Sequence, residues 1–308
     1  MTTEHRRFAE FCEACRRYRY IGLCYGSPGV GKTLSARLYA NWTNIEATLP
    51  VREASTEALT TLLESHTVFY TPPVVNTPAQ VERDIRGLRS DLRAILVEDR
   101  ERVQRAHLDA LRQQEREAEA ERQRRLFTEL DWYADPPPEG LKKPKSRWVQ
   151  LSIDYQHEIQ KIADPTTLVI IDEADRLKMN ALEQVRAIFD QGDIGVVFIG
   201  MPGLEKRLSR YPQLYSRIGF VHAFRPLSAA HMRQLLQQKW VPSGVALPEE
   251  GVTDEEALAA IIRVTGGNFR LLHRLMTQIV RLVEINALQT VTREVVEAAR
   301  ESLVIGTA

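Results

Sequence analysis

The chain has 308 residues, 44% hydrophobic and 27% charged, a globular balance that fits one large or two modest domains and excludes a disordered or fibrous chain. Lys plus Arg number 41 and Asp plus Glu 41, so bulk charge gives no argument for nucleic-acid binding and any basic surface must be local. No apolar run reaches transmembrane length and the first residues lack a signal peptide's apolar core, which predicts a soluble, cytoplasmic protein without a membrane partner.

Residues 4–19 carry a helical pattern that holds Cys12 and Cys15 on one face. A four-ligand zinc site needs a second ligand pair, and the third cysteine, Cys24, lies alone in the next strand, so packing is the expected role of all three. Residues 20–25 read as a strand. Gly26-Ser27-Pro28-Gly29-Val30-Gly31-Lys32-Thr33 follows, then a helical pattern over 31–42 that includes Leu34. Strand, glycine-rich loop and helix in that order form the G-x-x-x-x-G-K-[ST] phosphate-binding motif. Its glycines let backbone N–H groups face a phosphate, and the helix adds its positive dipole end. Lys32 would bridge the β- and γ-phosphates and Thr33 would hold Mg²⁺, so ATP and Mg²⁺ are the expected cofactors.

A short helix over 55–65 and a strand at 68–70 come next. Thr77-Pro78 reads as an N-cap with proline at the first helical position. The helix it starts runs from about 79 toward 130 with dense charges of both signs, either a single projecting rod or a helical hairpin. Leu92, Leu96 and Val103 begin a heptad seam that does not persist. Asp135 and three prolines break the pattern, and the basic stretch 141–148 either touches phosphates or is a flexible turn.

A helix over 149–163 leads to Leu168-Val-Ile-Ile171, an apolar run suited to a buried parallel strand. It ends in Asp172 and Glu173, at the strand end where α/β sheets bind ligands. Asp172 would sit near the metal held by Thr33, and Glu173 would orient the attacking water. A helix at 179–190, a buried strand at 196–199, a helix at 203–210 and a last strand at 221–224 follow. Beyond 226 the pattern is helical only, at 228–240, 253–265, 269–286 and 292–303, with Ser228 and Thr253 as N-caps. The expected architecture is an α/β domain over 1–226, with a charged insertion at about 90–148, and a small helical domain over 227–308. Two arginines could complete a phosphate site or be ordinary surface residues: Arg217 after a polar turn and Arg270 at a helix start.

This order resembles an AAA+ ATPase: phosphate loop, acidic strand end, a further buried strand, an arginine before the last strand, and a helical lid bearing another arginine. More narrowly, Val169 to Lys178 followed by Gly195 to Glu205 resembles the TniB/TnsC transposition ATPases, relatives of phage Mu B and IstB. The resemblance implies subunits that assemble with ATP around double-stranded DNA as a ring or helical filament, recruit transposase, and are released by hydrolysis in a bacterial, nucleoid-associated setting. It makes Gly26–Thr33 Walker A, Asp172 and Glu173 Walker B, Arg217 the finger that reaches a neighbour's nucleotide (Arg210 second) and Arg270 sensor 2. At the sensor-1 position Gly200-Met201 offers no polar side chain, which implies slow, partner-stimulated hydrolysis. It places Asn76, Thr77, Gln80 and Arg83, with Lys142, Lys143 and Lys145 of the insertion, toward the DNA backbone. Such contacts give salt dependence and little sequence specificity. The insertion would dock transposase or a targeting factor, or act as a spacer. Two other readings stand beside this one: an IstB- or DnaC-like loader, and a signalling ATPase switch that binds protein only.

Overall fold

A computed structural model describes residues 2–48, 66–129, 146–237 and 254–303. The expected helix at 55–65, the proline break at 135–138, Thr253 and Lys142, Lys143 and Lys145 lie outside the described residues. The cap expected at Thr253 falls one residue later: Asp254 Oδ1 accepts the Glu256 N–H at 2.9 Å and caps the helix Glu255–Thr265.

Helix α1 (Thr3–Tyr18) starts at Thr2, whose hydroxyl accepts the His5 N–H at 3.1 Å, and ends at Arg19 in the left-handed region. It turns Phe8, Phe11, Cys12 and Cys15 inward, at helical spacing. The cysteines are buried and unbonded, and burial pushes the Cys15 thiol up to about 12. Cys12, Cys15 and Cys24 are fully buried among apolar neighbours, where a thiol packs as a small hydrophobe.

Five parallel strands form one sheet: β1 (Ile21–Tyr25), β2 (Thr67–Tyr70), β3 (Leu168–Ile171), β4 (Gly195–Gly200) and β5 (Ile218–Ala223), in the order β2-β3-β4-β1-β5. β2, β3 and β4 are buried along their whole length, as parallel strands covered on both faces must be. β5 lies at the edge and alternates between half-buried and exposed, so its apolar signal is diluted, and it begins earlier than the apolar pattern indicates.

Helix α2 (Lys32–Tyr39) follows the glycine loop. The expected single helix over 31–42 breaks at Asn41, whose φ of 51° is left-handed, a conformation asparagine tolerates better than most residues. α3 (Trp42–Thr48) follows this break. α6 (Met179–Gln191) connects β3 to β4, and two short helices, α7 (Leu204–Leu208) and α8 (Pro212–Tyr215), lie between β4 and β5.

The C-terminal helices are α9 (Ala229–Gln237), α10 (Glu255–Thr265), α11 (Phe269–Ile285) and α12 (Arg293–Glu301). No strand occurs among the described residues after Ala223. Leu272, Leu275, Met276, Ile279 and Val283 form one stripe of α11 and enter a shared core with Met232, Ile261 and Val296.

The contacts divide the chain into two compact units. The first comprises Met1–Asn44, Ser65–Arg86 and Thr166–Ala308, and so holds both the sheet and the C-terminal helices. The second comprises Ile45–Glu64 and Gly87–Pro165. Its main elements are α4 (Pro78–Glu129), which begins in the first unit, and α5 (Arg147–Gln160). Glu115 of α4 accepts Ser146 Oγ at 2.7 Å and the Arg147 and Trp148 N–H groups at 2.7 and 3.1 Å, capping α5 with a carboxylate. These bonds hold the Glu115 carboxyl below its usual range, the Ser146 hydroxyl contributing most. His107 meets Tyr155 at 2.6 Å, and Arg93 donates to the Ile162 carbonyl at 2.7 Å. Residues 78–129 form one unbroken helix, the single rod of the two expectations. Moving back along α4 moves forward along α5, so this rod pairs with α5 as an antiparallel hairpin. The expected seam differs in register: Leu92 and Ile95 are buried, while Val103 is exposed.

Candidate nucleotide site

β1 delivers Tyr25 to the edge of the loop, and Gly29 and Gly31 turn it with φ of 81° and 106°. Lys32 folds back so that its ammonium donates to the Gly26 carbonyl at 2.5 Å and the Ser27 carbonyl at 2.9 Å. Burial lowers the Lys32 pKa, against the pull of Cys24, Asp172 and Glu173. Val30 is buried, while Ser27, Pro28, Thr33 and Leu34 are open to solvent.

Across the cleft, Thr33 Oγ1 donates to Asp172 Oδ2 at 2.7 Å. The two are 139 positions apart and meet because β3 ends beside the loop. Asp172 is buried, and its Oδ1 accepts the Glu173 N–H at 2.9 Å. Burial raises the Asp172 pKa, with the Thr33 and Glu173 hydrogen bonds opposing. A hydroxyl and a carboxylate are hard oxygen donors, a set that suits Mg²⁺ completed by phosphate and water.

Glu173 has φ of 52°, a left-handed conformation that is strained for glutamate. Its side chain is half exposed and lies 3.7 Å from Arg176. Arg176 also donates to the Pro72 carbonyl at 3.0 Å, and its own carbonyl accepts the Asn76 amide at 3.2 Å. The loop after β2 is thus tied to the turn that carries Glu173.

The remaining walls of the cleft are Asp175, Gly200, Met201, Phe269 and Arg270. Arg270 N–H donates to the Gly29 carbonyl at 2.9 Å. Asn268 Nδ2 donates to the Pro28 carbonyl at 2.9 Å, while its Oδ1 accepts the Leu271 N–H at 3.1 Å and caps α11. A Cβ on Gly29 would lie 2.5 Å from Asn268 Oδ1, so only glycine admits this approach.

The structure brings Lys32, Thr33, Asp172, Glu173 and Arg270 around one cleft. Arg217 does not line it. Its guanidinium grips Asp190 of α6 at 2.5 and 2.9 Å and the Gln213 carbonyl. Arg210 is exposed. Of the predicted DNA group, Asn76 is a correction. It is buried, and its amide is spent on the Pro73 and Arg176 carbonyls, so it does not present that amide to a DNA backbone here. Thr77 caps α4 through the Gln80 N–H at 3.2 Å, and Thr77 and Arg83 are exposed. Asp175, Arg176, Arg207 and Asn268 were missed as site residues. Only Asn268 carried a local signal, as an N-cap type before an amphipathic helix.

Residues 15–208 match the family described as AAA domain. That is more than half of the chain, which therefore belongs to this family of ATPases. A potential ATP-binding protein of Staphylococcus aureus is 40% identical over 308 residues, covering 99% of this chain and 96% of that protein. The Mu-like prophage FluMu DNA transposition protein B of Haemophilus influenzae is 32% identical over 122 residues, 37% of this chain and 39% of that protein. The Thermotoga maritima RuvB Holliday junction branch migration motor aligns with a TM-score of 0.50 at 14% identity, over 97% of this chain and 68% of that one. The Aeropyrum pernix Orc1 protein, solved in complex with DNA, aligns with a TM-score of 0.50 at 18% identity, over 97% and 64%. Such identities establish the fold alone. The fold expected from the sequence, a parallel P-loop sheet with a helical C-terminal region, is the fold found. No described helix is long and apolar enough to cross a membrane.

Proposed function

We propose that this AAA-domain protein is an ATP-gated, DNA-binding regulator of transposition of the TniB/TnsC type. It assembles with ATP as a ring or filament on duplex DNA and recruits transposase, and hydrolysis releases it. The observation that carries the reading is the 2.7 Å contact of Thr33 with Asp172, which closes a phosphate loop onto an acidic strand end. In the ATP-bound state Lys32 turns from the Gly26 and Ser27 carbonyls to the phosphates. Thr33 and Asp172 would hold Mg²⁺, which supplies charge neutralisation on the phosphates. Glu173 orients the water, Arg270 reads the bound nucleotide from the helical domain over 227–308, and Arg217 serves a neighbouring subunit. The likeness to the Haemophilus transposition protein supports the DNA and transposition part. So does the tie from the loop after β2 to the Glu173 turn, a route by which DNA against Thr77, Gln80 and Arg83 would reach the catalytic carboxylate.

The test is electron microscopy and sedimentation of the full chain with duplex DNA and a non-hydrolysable ATP analogue at low salt. Ordered assemblies that vanish without nucleotide, at high salt or with Lys32→Ala are the expected result. Nucleotide binding without assembly on duplex DNA would overturn the transposition reading. Assembly on single strands alone would favour a loader, and neither would favour a protein-binding switch.

A further inference from the structure

The position after β4 offers no polar side chain of its own, yet the structure puts a carboxylate there. Asp175 leaves the acidic turn after β3 and reaches across to β4. Its Oδ2 accepts the Met201 N–H at 2.8 Å. A Cβ on Gly200 would lie 2.5 Å from that same oxygen, so the missing side chain at 200 makes room for Asp175. The approach is braced from behind. Arg207 Nη1 donates to the Asp175 carbonyl at 2.7 Å, and Nη2 to the Leu177 carbonyl. Asp175 lines the same cleft as Lys32, Thr33 and Glu173. Among the described residues its Oδ1 has no hydrogen-bond partner, which leaves an acceptor free in the cleft that Glu173 also lines.

We propose that Asp175 is the polar group of the β4 end, a positioning residue that orients the hydrolytic water together with Glu173. The inference rests on the ATPase reading above. In the step, water oxygen bonds to the γ-phosphorus and the bond from that phosphorus to the bridging oxygen breaks. ADP leaves with the electron pair, and one water proton passes to Glu173 and on to the products. The other water hydrogen is held by Asp175 Oδ1, which aims the oxygen's lone pair at phosphorus. An arginine-braced backbone and a glycine that clears the path suit a group whose placement matters, since misplacing a reacting atom by about 1 Å costs on the order of 100-fold.

The experiment compares Asp175→Asn, Asp175→Ala and the double variant Asp175→Ala with Gly200→Ser against the unaltered chain. ATP affinity and single-turnover hydrolysis are measured with duplex DNA present. Asp175→Asn keeps an oxygen for the Met201 N–H and turns the free acceptor into a donor, so folding is preserved. The expected result is hydrolysis slowed on the order of 10- to 100-fold, with ATP affinity within about threefold of the unaltered chain. In the double variant the serine Cβ enters the space Asp175 vacates once the end of the Leu204 side chain, 2.6 Å from it, shifts aside, and its hydroxyl restores part of the rate. Unchanged hydrolysis in Asp175→Asn would overturn the inference, and so would loss of affinity in step with loss of rate, the mark of mere support. If the unaltered chain neither binds nor hydrolyses ATP, the ATPase reading itself fails, an outcome distinct from both.

Discussion

Asn268 does two things with one side chain. Its oxygen caps α11, and its nitrogen holds the Pro28 carbonyl of the phosphate loop. Asn268→Ala removes both. An N-cap lost to alanine costs about 1 kcal/mol, and a net hydrogen bond contributes about 1 kcal/mol, so the loss is about 2 kcal/mol. Asn268→Ser keeps the cap but is too short to reach Pro28, so it loses about 1 kcal/mol. A domain of 150–250 residues shifts by about 2–4 °C per kcal/mol, which gives roughly 4–8 °C for alanine and 2–4 °C for serine in a thermal melt. The tie also aligns the loop whose Gly29 carbonyl Arg270 holds. Both variants are therefore expected to bind ATP about fivefold more weakly, the equivalent of about 1 kcal/mol. A serine variant as stable as the unaltered chain, or an affinity change confined to alanine, would refute the assignment of two separate roles.

Asp172 gives a pH signature. Its folded pKa is raised by burial, so the neutral form is favoured in the fold; stability is full below the unfolded value of about 3.9 and is lost as pH rises through the raised value. Asp172→Asn is expected to melt higher than the unaltered chain at neutral pH and to lose that advantage near about pH 4; a gap that stays constant with pH counts against the burial argument. Glu173→Gln is expected to bind ATP normally and to freeze the assembly on DNA, and rapid disassembly of that variant contradicts the role given to Glu173. Arg217 grips Asp190 in a partly exposed pair, so Arg217→Ala should cost less than about 1 kcal/mol of stability in chemical denaturation. Activity of its mixtures with Lys32→Ala should recover if the arginine serves a neighbour, and no recovery with Arg217→Ala but recovery with Arg210→Ala would move the finger to Arg210.

What the sequence determined by itself was whatever depends on neighbours along the chain. Glycines before Lys32-Thr33 after an apolar strand, an apolar run closed by Asp172-Glu173, and a long charged helix are each local patterns with a physical requirement behind them. They made the fold class, the helical C-terminal region and the meeting of the glycine loop with the acidic strand end legible. Strand β5 and the break at Asn41 were misjudged by a few residues, because an edge strand alternates weakly and a single left-handed residue leaves no periodic trace. Tertiary structure alone decided the rest. The order β2-β3-β4-β1-β5 sets side by side residues that are far apart in sequence. Asp175 meets the backbone of Met201, Arg176 that of Pro72 and Asn268 that of Pro28. The same packing turned Asn76 inward and gave Arg217 to Asp190. Periodicity states which face of an element is buried; only the packed sheet states which distant side chain comes to fill the space a glycine leaves.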